Sequence, residues 1–391
     1  MAASLLIRPP RVVIAPDWSI ADAAGLALAT GLAAVKHYES DAVSGEIESV
    51  HQMRVSVRRL RATIRLFATV IHGSRRRVYE RELKWLGQAA GAVRDCDVMA
   101  ELIRDCSASL DPTLAEALTP VIDALAAHRN AEHSRFVGDL RTKRYAAICA
   151  RLADPLLRRA LPATDVGCYA PAMIAPITRK VRKAGKRIAA ADAPPPFFHC
   201  LRVRVKRLRY GVEMLTEMGG KRSCKALTRL EQMQELLGAH QDMVATMAWL
   251  RAYAASAPNV GPETLMAVGA MVQMLVERRQ KLAAQAYRRW RKVARSAVIN
   301  DALDELSRLA QKRLEAARQA QADAERRAQA AIVATGDAPP DVPANHVAAE
   351  AVTPDRTTPA MPAPLDEASA VELADAVEST PAPHHNVREA T

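Results

Sequence analysis

Two stretches of this chain carry the same pattern: His51-Gln-Met-Arg-Val-Ser-Val-Arg-Arg-Leu-Arg61 and, 148 residues later, His199-Cys-Leu-Arg-Val-Arg-Val-Lys-Arg-Leu-Arg209. Each stretch has a histidine followed by cations at steps of 3, 7 and 10. At about 100° per residue, these four positions fall within roughly 80° of one another on an α-helix. The pattern therefore predicts two helices, each with a histidine and three cations on one face.

The opposite face of each predicted helix is apolar. Steps of 2, 6, 9, 13 and 16 from each histidine place apolar side chains at roughly 160–240° around the helix. These residues are Met53, Val57, Leu60, Ile64 and Phe67 in the first copy and Leu201, Val205, Leu208, Val212 and Leu215 in the second. Each helix is thus predicted to bury its apolar face, the back of the helix, and to expose its cationic face, the front of the helix.

The cationic front of the first helix contains no acidic residue. It runs from His51 through Arg54, Arg58 and Arg61 to Arg65, whereas Glu213 takes the place of Arg65 in the second copy. Like charges at helical neighbour spacing repel by a few tenths of a kcal/mol per pair, and a polyanion would relieve that repulsion. At about 1.5 Å per residue this front is about 21 Å long, which suits an extended chain of phosphates.

The composition favours a helical, basic protein. Aromatic residues make up 4% of the 391 residues, and alternating β-branched runs are essentially absent, so helix is expected rather than sheet. Residues 336–391 have a net charge of −8, which leaves +20 for residues 1–335 and indicates an anionic partner for that part. The six scattered cysteines lack metal-ligand spacing and are interpreted as reduced thiols of a cytoplasmic protein. No apolar stretch is long enough to insert into a membrane.

Turn and cap residues predict the order of the helices. After an irregular N-terminus (1–17), Ser19 and Ser74 are predicted caps, Pro120 a break, and Gly219-Gly220 a second break. The expected helices cover about 19–38, 46–71, 74–106, 112–152, 171–190, 197–218, 221–255, 262–297 and an Ala-rich extension at 300–334. Residues 154–170 are expected to connect two halves, and 336–391 to be a disordered acidic Pro/Ala tail.

The repeat extends beyond the His/Arg helices. Gly91 with Asp95 follows the first histidine, and Gly238 with Asp242 follows the second, each pair four residues apart. The chain is therefore predicted to be all-α, with two tandem four-helix bundles at 18–153 and 170–297 that share a basic groove.

Both histidine-containing helices, the segment Gly91…Arg94-Asp95-x-Asp97 and its echo Gly238…Asp242 resemble the CHAD family over roughly residues 15–297. The resemblance implies two four-helix bundles related by a pseudo-twofold, a basic cavity between them, and inorganic polyphosphate as the ligand. Some members carry a CYTH triphosphatase domain with the signature Glu-x-Glu-x-Lys. This chain has only Glu46-Ile-Glu-Ser-Val50, without the lysine, so the resemblance implies a stand-alone, non-catalytic binding module that needs no cofactor.

The predicted site residues fall into two groups. The predicted polyphosphate contacts are His51, Arg54, Arg58, Arg59, Arg61, Arg65, Arg81, Lys84, His199, Arg202, Lys206, Arg207 and Arg209. Arg94, Asp95, Asp97 and Asp242 are predicted to support and orient them. Arginine suits phosphate because its planar fork donates two hydrogen bonds to two oxygens. The two histidines are interpreted as phosphate donors, with helix packing and metal ligation left as alternatives.

Rival functions remain open from sequence alone. A nucleic-acid-binding protein would share the positive charge, but no aromatic residues interleave with the cations, so nucleic acid is expected only as a non-specific competitor. A metal-dependent phosphohydrolase would need carboxylates that converge with histidine, and Asp95, Asp97 and Asp242 are the suggestive ones. Association with polyphosphate granules is a further expectation. The acidic tail is interpreted as a solubilising linker or as a segment that screens the groove.

Overall fold

The computed structural model describes residues 14–155, 165–257 and 260–335, and the regular structure of these residues is helical. The helices are α1 Ile20–His37, α2 Glu39–Ser44, α3 Ile47–Leu66, α4 Gly73–Ser107, α5 Pro112–Glu116, α6 Thr119–Leu140, α7 Lys143–Ala153, α8 Val166–Lys186, α9 Pro195–Met214, α10 Thr216–Ser256, α11 Pro262–Arg295 and α12 Val298–Thr335. The predicted all-α fold is confirmed.

The two sequence repeats pair their helices in the same order. In the first repeat α1 packs on α3, α3 on α4, and α4 on α6. In the second repeat α8 packs on α9, α9 on α10, and α10 on α11. The helices α1, α3, α4 and α6 therefore correspond to α8, α9, α10 and α11, and the two histidine-containing helices are the second member of each set.

The apolar backs of α3 and α9 lie in the core, as their periodicity predicted. All ten residues of the two predicted apolar faces, from Met53 to Phe67 and from Leu201 to Leu215, are buried. A carboxylate caps α3: the Glu46 side chain accepts hydrogen bonds from the backbone N–H groups of Glu48 and Ser49. Because the backs are fixed in this way, the cationic fronts face in defined directions.

The hydrophobic core is not divided between the repeats. One buried cluster joins Met53 and Leu60 of α3 to Leu201 and Leu208 of α9. A second cluster joins Met99 and Ile103 of α4 to Met243 and Met247 of α10 and to Leu275 of α11. Each cluster therefore draws on both repeats, and the boundaries 18–153 and 170–297 stay a prediction about sequence repeats.

The structure corrects three predicted element boundaries. The helix predicted at 112–152 is three helices, α5, α6 and α7; Pro120 lies in the first turn of α6, and Thr142 caps α7 by accepting a hydrogen bond from the Tyr145 N–H. Helix α4 is preceded by His72 without a side-chain cap, so Ser74 is not the predicted cap. Helix α8 begins inside the predicted connection, because the Asp165 carboxylate caps it at the Cys168 N–H.

The predicted break at Gly219-Gly220 is a kink within α10, where Gly220 has a φ of 57° and a ψ of −154°. All six cysteines are free thiols. Among the described residues, no helix is long and apolar enough to cross a membrane. Most of the predicted irregular N-terminus (1–13) and the whole predicted acidic tail (336–391) lie outside the described residues.

Candidate functional site

The two histidine-containing helices pack against each other. The Arg58 guanidinium on α3 donates a hydrogen bond from Nε to the Tyr210 hydroxyl on α9 at 3.0 Å. The Arg59 guanidinium on α3 forms an ion pair with Glu213 on α9 at 2.8 Å between Nη2 and Oε1. These cross-contacts bring the two cationic fronts together at one site.

We call Arg54, Arg58, Arg202 and Lys206 the groove cluster, because their charges act on one another across the two helices. Burial, followed by the charges of Arg202, Arg58 and Arg54, lowers the pKa of the Lys206 ammonium well below its ordinary value. Burial also lowers the pKa of Arg202, and the charges of Arg54 and Arg58 act in the same direction. Positive charge is therefore concentrated here, and the repulsion between these charges raises the free energy of the protein without a ligand.

Two carboxylates face the groove cluster. Asp95 on α4 forms an ion pair with Arg54, with 3.1 Å between Oδ1 and Nη2. Asp242 on α10 interacts electrostatically with Arg202, Arg54 and Lys206, but burial and the negative charge of Asp95 leave its pKa raised. Even with Lys206 neutral, three guanidinium groups face two carboxylates, one of which has a weakened tendency to ionise, so a net positive charge is left for an anion.

Helix α4 leaves room for Arg54 because residue 91 is glycine. A Cβ at Gly91 would lie 3.3 Å from the Arg54 Nε, which is tighter than an ordinary contact. At the corresponding Gly238 of the second repeat, an added Cβ would meet nothing within 4 Å. The two glycines share a place in the sequence repeat, but only Gly91 has a close contact with a groove cation.

His51 and His199 are both partly buried, and the charges of Arg54 and Arg58 act on His51. Burial and then the positive charge of Arg94 lower the pKa of His51, and Arg58 and Arg54 lower it further. His199 is oriented by Gln241, with 3.0 Å between Nδ1 and Oε1. Each histidine thus keeps one ring nitrogen, Nδ1 of His51 and Nε2 of His199, without a hydrogen-bond partner among the described residues.

Several guanidinium groups in the described part of the chain also have a buried Nε donor without a hydrogen-bond partner, and two of them belong to residues whose charges act on the site. The two residues are Arg94 and Arg202. An unsatisfied buried donor costs about 1–3 kcal/mol, so native structures seldom retain one without a reason. Donors of this kind, beside excess positive charge, are what an anionic ligand would satisfy.

Several predicted contacts are already paired with acids. Glu213 accepts from Arg59 and also lies 3.2 Å from Arg209, whose Nε donates to Gln234 at 2.9 Å. Arg81 pairs with its neighbour Glu82 at 2.6 Å. Asp97 was predicted to orient a groove arginine, but it pairs with Arg129 of α6 at 2.6 Å.

The remaining predicted contacts lie on the same helices as the groove cluster or next to them. Arg61 and Arg65 continue along α3 and Arg207 lies on α9, and each takes part in a polar or electrostatic interaction. Lys84 lies partly buried on α4. The four residues of the groove cluster thus act on one another and, in part, on His51, whereas the other predicted cations lie elsewhere on α3, α4 and α9.

Tyr210 is a site residue that the sequence analysis missed. The Tyr210 hydroxyl accepts a hydrogen bond from Arg58. The Arg209 guanidinium carbon lies over the Tyr210 ring, 4.4 Å from the ring centroid. Although burial raises its pKa, the charges of Arg58 and Arg209 outweigh burial, and the pKa of Tyr210 is lowered. Tyr210 lies eleven residues after His199, which places it close to the cationic face of the helix. Its presence at the site could therefore have been predicted from helical geometry.

The described residues contain no group of three or more His, Cys, Asp or Glu side chains placed to hold a metal ion. What the geometry defines is an all-α protein in which two helices with similar basic faces, α3 and α9, pack against each other. The family model of the CHAD domain matches residues 26–251, more than half of the chain, and the chain belongs to this family. The family is associated in general with polyphosphate binding.

Two curated proteins have sequences similar to this chain. The chain is 27% identical over 261 residues to uncharacterised proteins from two strains of Mycobacterium tuberculosis, CDC 1551 and H37Rv; the match covers 64% of this chain and 49% of each relative. The chain thus spans about half the length of the curated relatives it matches.

Two solved structures have a similar fold. The CHAD domain of the plant Ricinus communis has a TM-score of 0.62 and 24% identity, covering 72% of this chain and 94% of that one. PptA from Streptomyces chartreusis has a TM-score of 0.56 and 17% identity, covering 70% of this chain and 100% of that one. At these identities the likeness concerns the fold alone.

Proposed function

We propose that this protein binds inorganic polyphosphate, without catalysing its cleavage, in a groove lined by the fronts of α3 and α9. The observation that carries the proposal is the groove cluster: four basic residues from two repeats whose charges act on one another, with Asp95 and Asp242 as acidic neighbours. Membership of a family associated with polyphosphate supports the choice of anion.

The shape and chemistry of the groove favour a phosphate chain over a single small anion. Arg61 and Arg65 continue the cationic face of α3 beyond the cluster, so successive phosphates would meet further positive groups along that helix. Arginine donates two parallel hydrogen bonds to phosphate oxygens, whereas lysine acts as a point charge. A cytoplasmic location, and association with polyphosphate granules, are parts of the same proposal.

The proposal is tested by reversing charge at one residue of the cluster on each helix. Because truncating one partner of a desolvated charge contact costs about 2–5 kcal/mol, Arg54→Glu combined with Arg202→Glu is expected to weaken polyphosphate binding by more than about 100-fold. Affinity is measured by equilibrium titration, and helical content by circular dichroism.

A matched control is available on α12. Lys312→Glu with Arg318→Glu changes the net charge by the same amount at two exposed positions. This pair is expected to reduce affinity only slightly, through the long-range field. If the groove variant folds and retains full affinity, or if the control variant loses as much, the groove is not the binding site.

A further inference from the structure

A second basic surface lies on α10 and α11, outside the groove cluster. A cleft of about 590 Å³ opens between these two helices. That volume is within the range of about 300–1,000 Å³ that is typical of sites for small molecules. The cleft is lined by Gln232, Glu235, Leu236 and Ala239 of α10 and by Gln285, Arg288, Arg289 and Lys292 of α11.

The cleft and the groove lie on different sides of α10. Gln234 accepts a hydrogen bond from Arg209 of α9, and Gln241 lies 3.0 Å from the Nδ1 atom of His199, so both glutamines face α9. At about 100° per residue, the four α10 residues that line the cleft lie roughly 110–170° around the helix from the mean direction of these two glutamines. None of the predicted polyphosphate contacts lines the cleft, which is therefore a separate surface.

The cations of the cleft are not neutralised by the acid beside them. The Arg289 Nη1 atom donates a hydrogen bond to the Gln232 Oε1 atom at 2.9 Å, which ties α11 to α10 and fixes the guanidinium group at the cleft. Arg288 and Lys292 are exposed and form no ion pair with the described residues. Glu235 is also exposed, and it pairs with no described cation. Three cations and one carboxylate thus leave the cleft with a net positive charge.

The equivalent surface of the first repeat is covered. Trp85 takes the place of Gln232, since each lies six residues before the glycine that the two repeats share. The Arg144 guanidinium of α7 lies over the Trp85 ring, 4.1 Å from the ring centroid. In the second repeat α11 is a single helix of 34 residues, and α12, the next element, meets α10 near Ser223 instead. The cleft is open because no helix takes the place of α7 over Gln232 in the described part of the second repeat.

We propose that the cleft is a second binding site, for small phosphorylated molecules of the nucleoside triphosphate class. The three cations of α11 would hold the phosphates through charge-assisted hydrogen bonds. The Glu235 carboxylate and the Gln285 amide oxygen would accept hydrogen bonds from hydroxyl and amino groups, and Leu236 with Ala239 would contact an apolar ring face. A bare phosphate chain offers no donor to Glu235 and is repelled by its charge, so the carboxylate favours a ligand with a sugar and a base. The inference does not depend on polyphosphate binding in the groove.

The test is an equilibrium titration of the full chain with ATP. Arg288→Glu combined with Lys292→Glu is expected to weaken ATP binding at least about tenfold, because two attractive contacts with phosphate become repulsive. Lys312→Glu with Arg318→Glu on α12 changes the net charge equally and is expected to weaken ATP binding less than about twofold. Equal ATP affinities of the two variants, or no binding of ATP to the original protein, would overturn the inference.

Inorganic triphosphate tests the chemical class with the unmodified protein, so this comparison does not depend on a variant that folds. Triphosphate has the three phosphates of ATP but neither sugar nor base, and ATP is expected to bind at least about fivefold more tightly. Glu235→Gln removes the charge that repels phosphate and leaves a weaker acceptor, so the preference for ATP is expected to shrink. Equal affinities of the original protein for triphosphate and ATP would show that the proposed class is wrong.

Exchanging variants and ligands distinguishes the cleft from the groove. The groove variant, Arg54→Glu with Arg202→Glu, is expected to bind ATP as well as the α12 variant does, and the cleft variant is expected to bind polyphosphate as well as the α12 variant does. If the groove variant loses ATP binding and the cleft variant keeps it, the inference fails and the proposed function stands. If ATP binding is lost only in the cleft variant and polyphosphate does not bind at all, the proposed function fails and the cleft stands.

Discussion

At the scale of single residues, the like charges of the groove cluster repel one another in the free protein. The pKa values of Lys206 and Arg202 are both lowered, first by burial and then by neighbouring positive charges. A lowered pKa in a basic group means that its charged form is less stable there than in water. Binding of a polyanion would reverse that effect, and protonation of the site is therefore coupled to its ligand.

Lys206 is expected to take up a proton when polyphosphate binds. The anion favours the ammonium form, so the pKa of Lys206 is higher in the complex than in the free protein. Between these two pKa values the complex holds more protons, and affinity must fall as pH rises through this window. Titration calorimetry in buffers of different ionisation enthalpy measures the number of protons taken up.

Lys206→Arg provides the control for this measurement, since arginine stays charged in both states. His51 also contributes to proton uptake, because burial and Arg94 lower its pKa in the free protein. The variant is therefore expected to show a smaller uptake, not none. Equal proton uptake by the two proteins would show that Lys206 does not change its protonation on binding.

Gly91 is expected to matter for affinity through Arg54. In Gly91→Ala the new Cβ would lie 3.3 Å from the Arg54 Nε and displace the guanidinium, lowering polyphosphate affinity several-fold. Gly238→Ala is the matched control from the other repeat, with open space around the added Cβ. It is expected to leave affinity unchanged and to stabilise α10 by up to about 1 kcal/mol. Titration that gives both variants the same affinity would contradict this role of Gly91.

At the residue scale, some of the site could be predicted from sequence and some could not. Helical periodicity alone placed Arg54, Arg58, Arg202 and Lys206 on two cationic faces. The pairing of Asp97 with Arg129 depends on how α4 packs on α6, which no local pattern encodes. The burial of Lys206 likewise depends on α3 packing against α9, so its altered pKa could not be read from α9 alone.

At the scale of elements, close helix packing depends on small residues. Gly185 on α8 lies against Trp290 on α11, where an added Cβ would come within 1.8 Å of the indole Cζ2. Gly185→Ala must therefore displace the ring, and overpacking of this kind costs about 1–3 kcal/mol. Thermal or urea denaturation is expected to show this loss in the free energy of unfolding.

Gly269→Ala on α11 is the control for Gly185→Ala, because nothing lies within 4 Å of the added Cβ. Its helix propensity gain should raise stability by up to about 1 kcal/mol. If Gly185→Ala is as stable as the original protein, α8 and α11 are not packed as closely as the contact with Trp290 implies.

The sequence predicted element types better than element boundaries. A period of 3.6 residues identifies a helix over many turns, whereas a boundary depends on one or two caps. Asp165 starts α8 within a stretch whose prolines suggested a connection, and Thr142 starts α7 within a stretch that has an unbroken helical composition. Each cap is a single side-chain hydrogen bond. Whether the chain starts a new helix at such a residue or continues in its previous conformation depends on tertiary packing, which the local sequence does not encode.

At the scale of the whole molecule, the two sequence repeats are joined because they share hydrophobic clusters. The clusters around Leu60 with Leu208, and around Met99 with Met243, each contain residues from both repeats. The duplicated pattern predicted two similar helix sets, and the order of helix packing agrees with it. It could not predict that the cores would be continuous across the repeats, because apolar periodicity identifies a buried face but not its partner.

The most direct test of polyphosphate binding is an equilibrium titration of the full chain with polyphosphates of defined length over a range of salt concentrations. Saturable binding is expected, with log affinity falling against log salt at a slope of about three to four for the four cluster cations. Transfer RNA and duplex DNA at equal phosphate concentration should compete only weakly and leave most of the polyphosphate bound. Displacement of most of the polyphosphate by either nucleic acid, or a polyphosphate affinity that does not change with salt, would contradict polyphosphate binding in this groove.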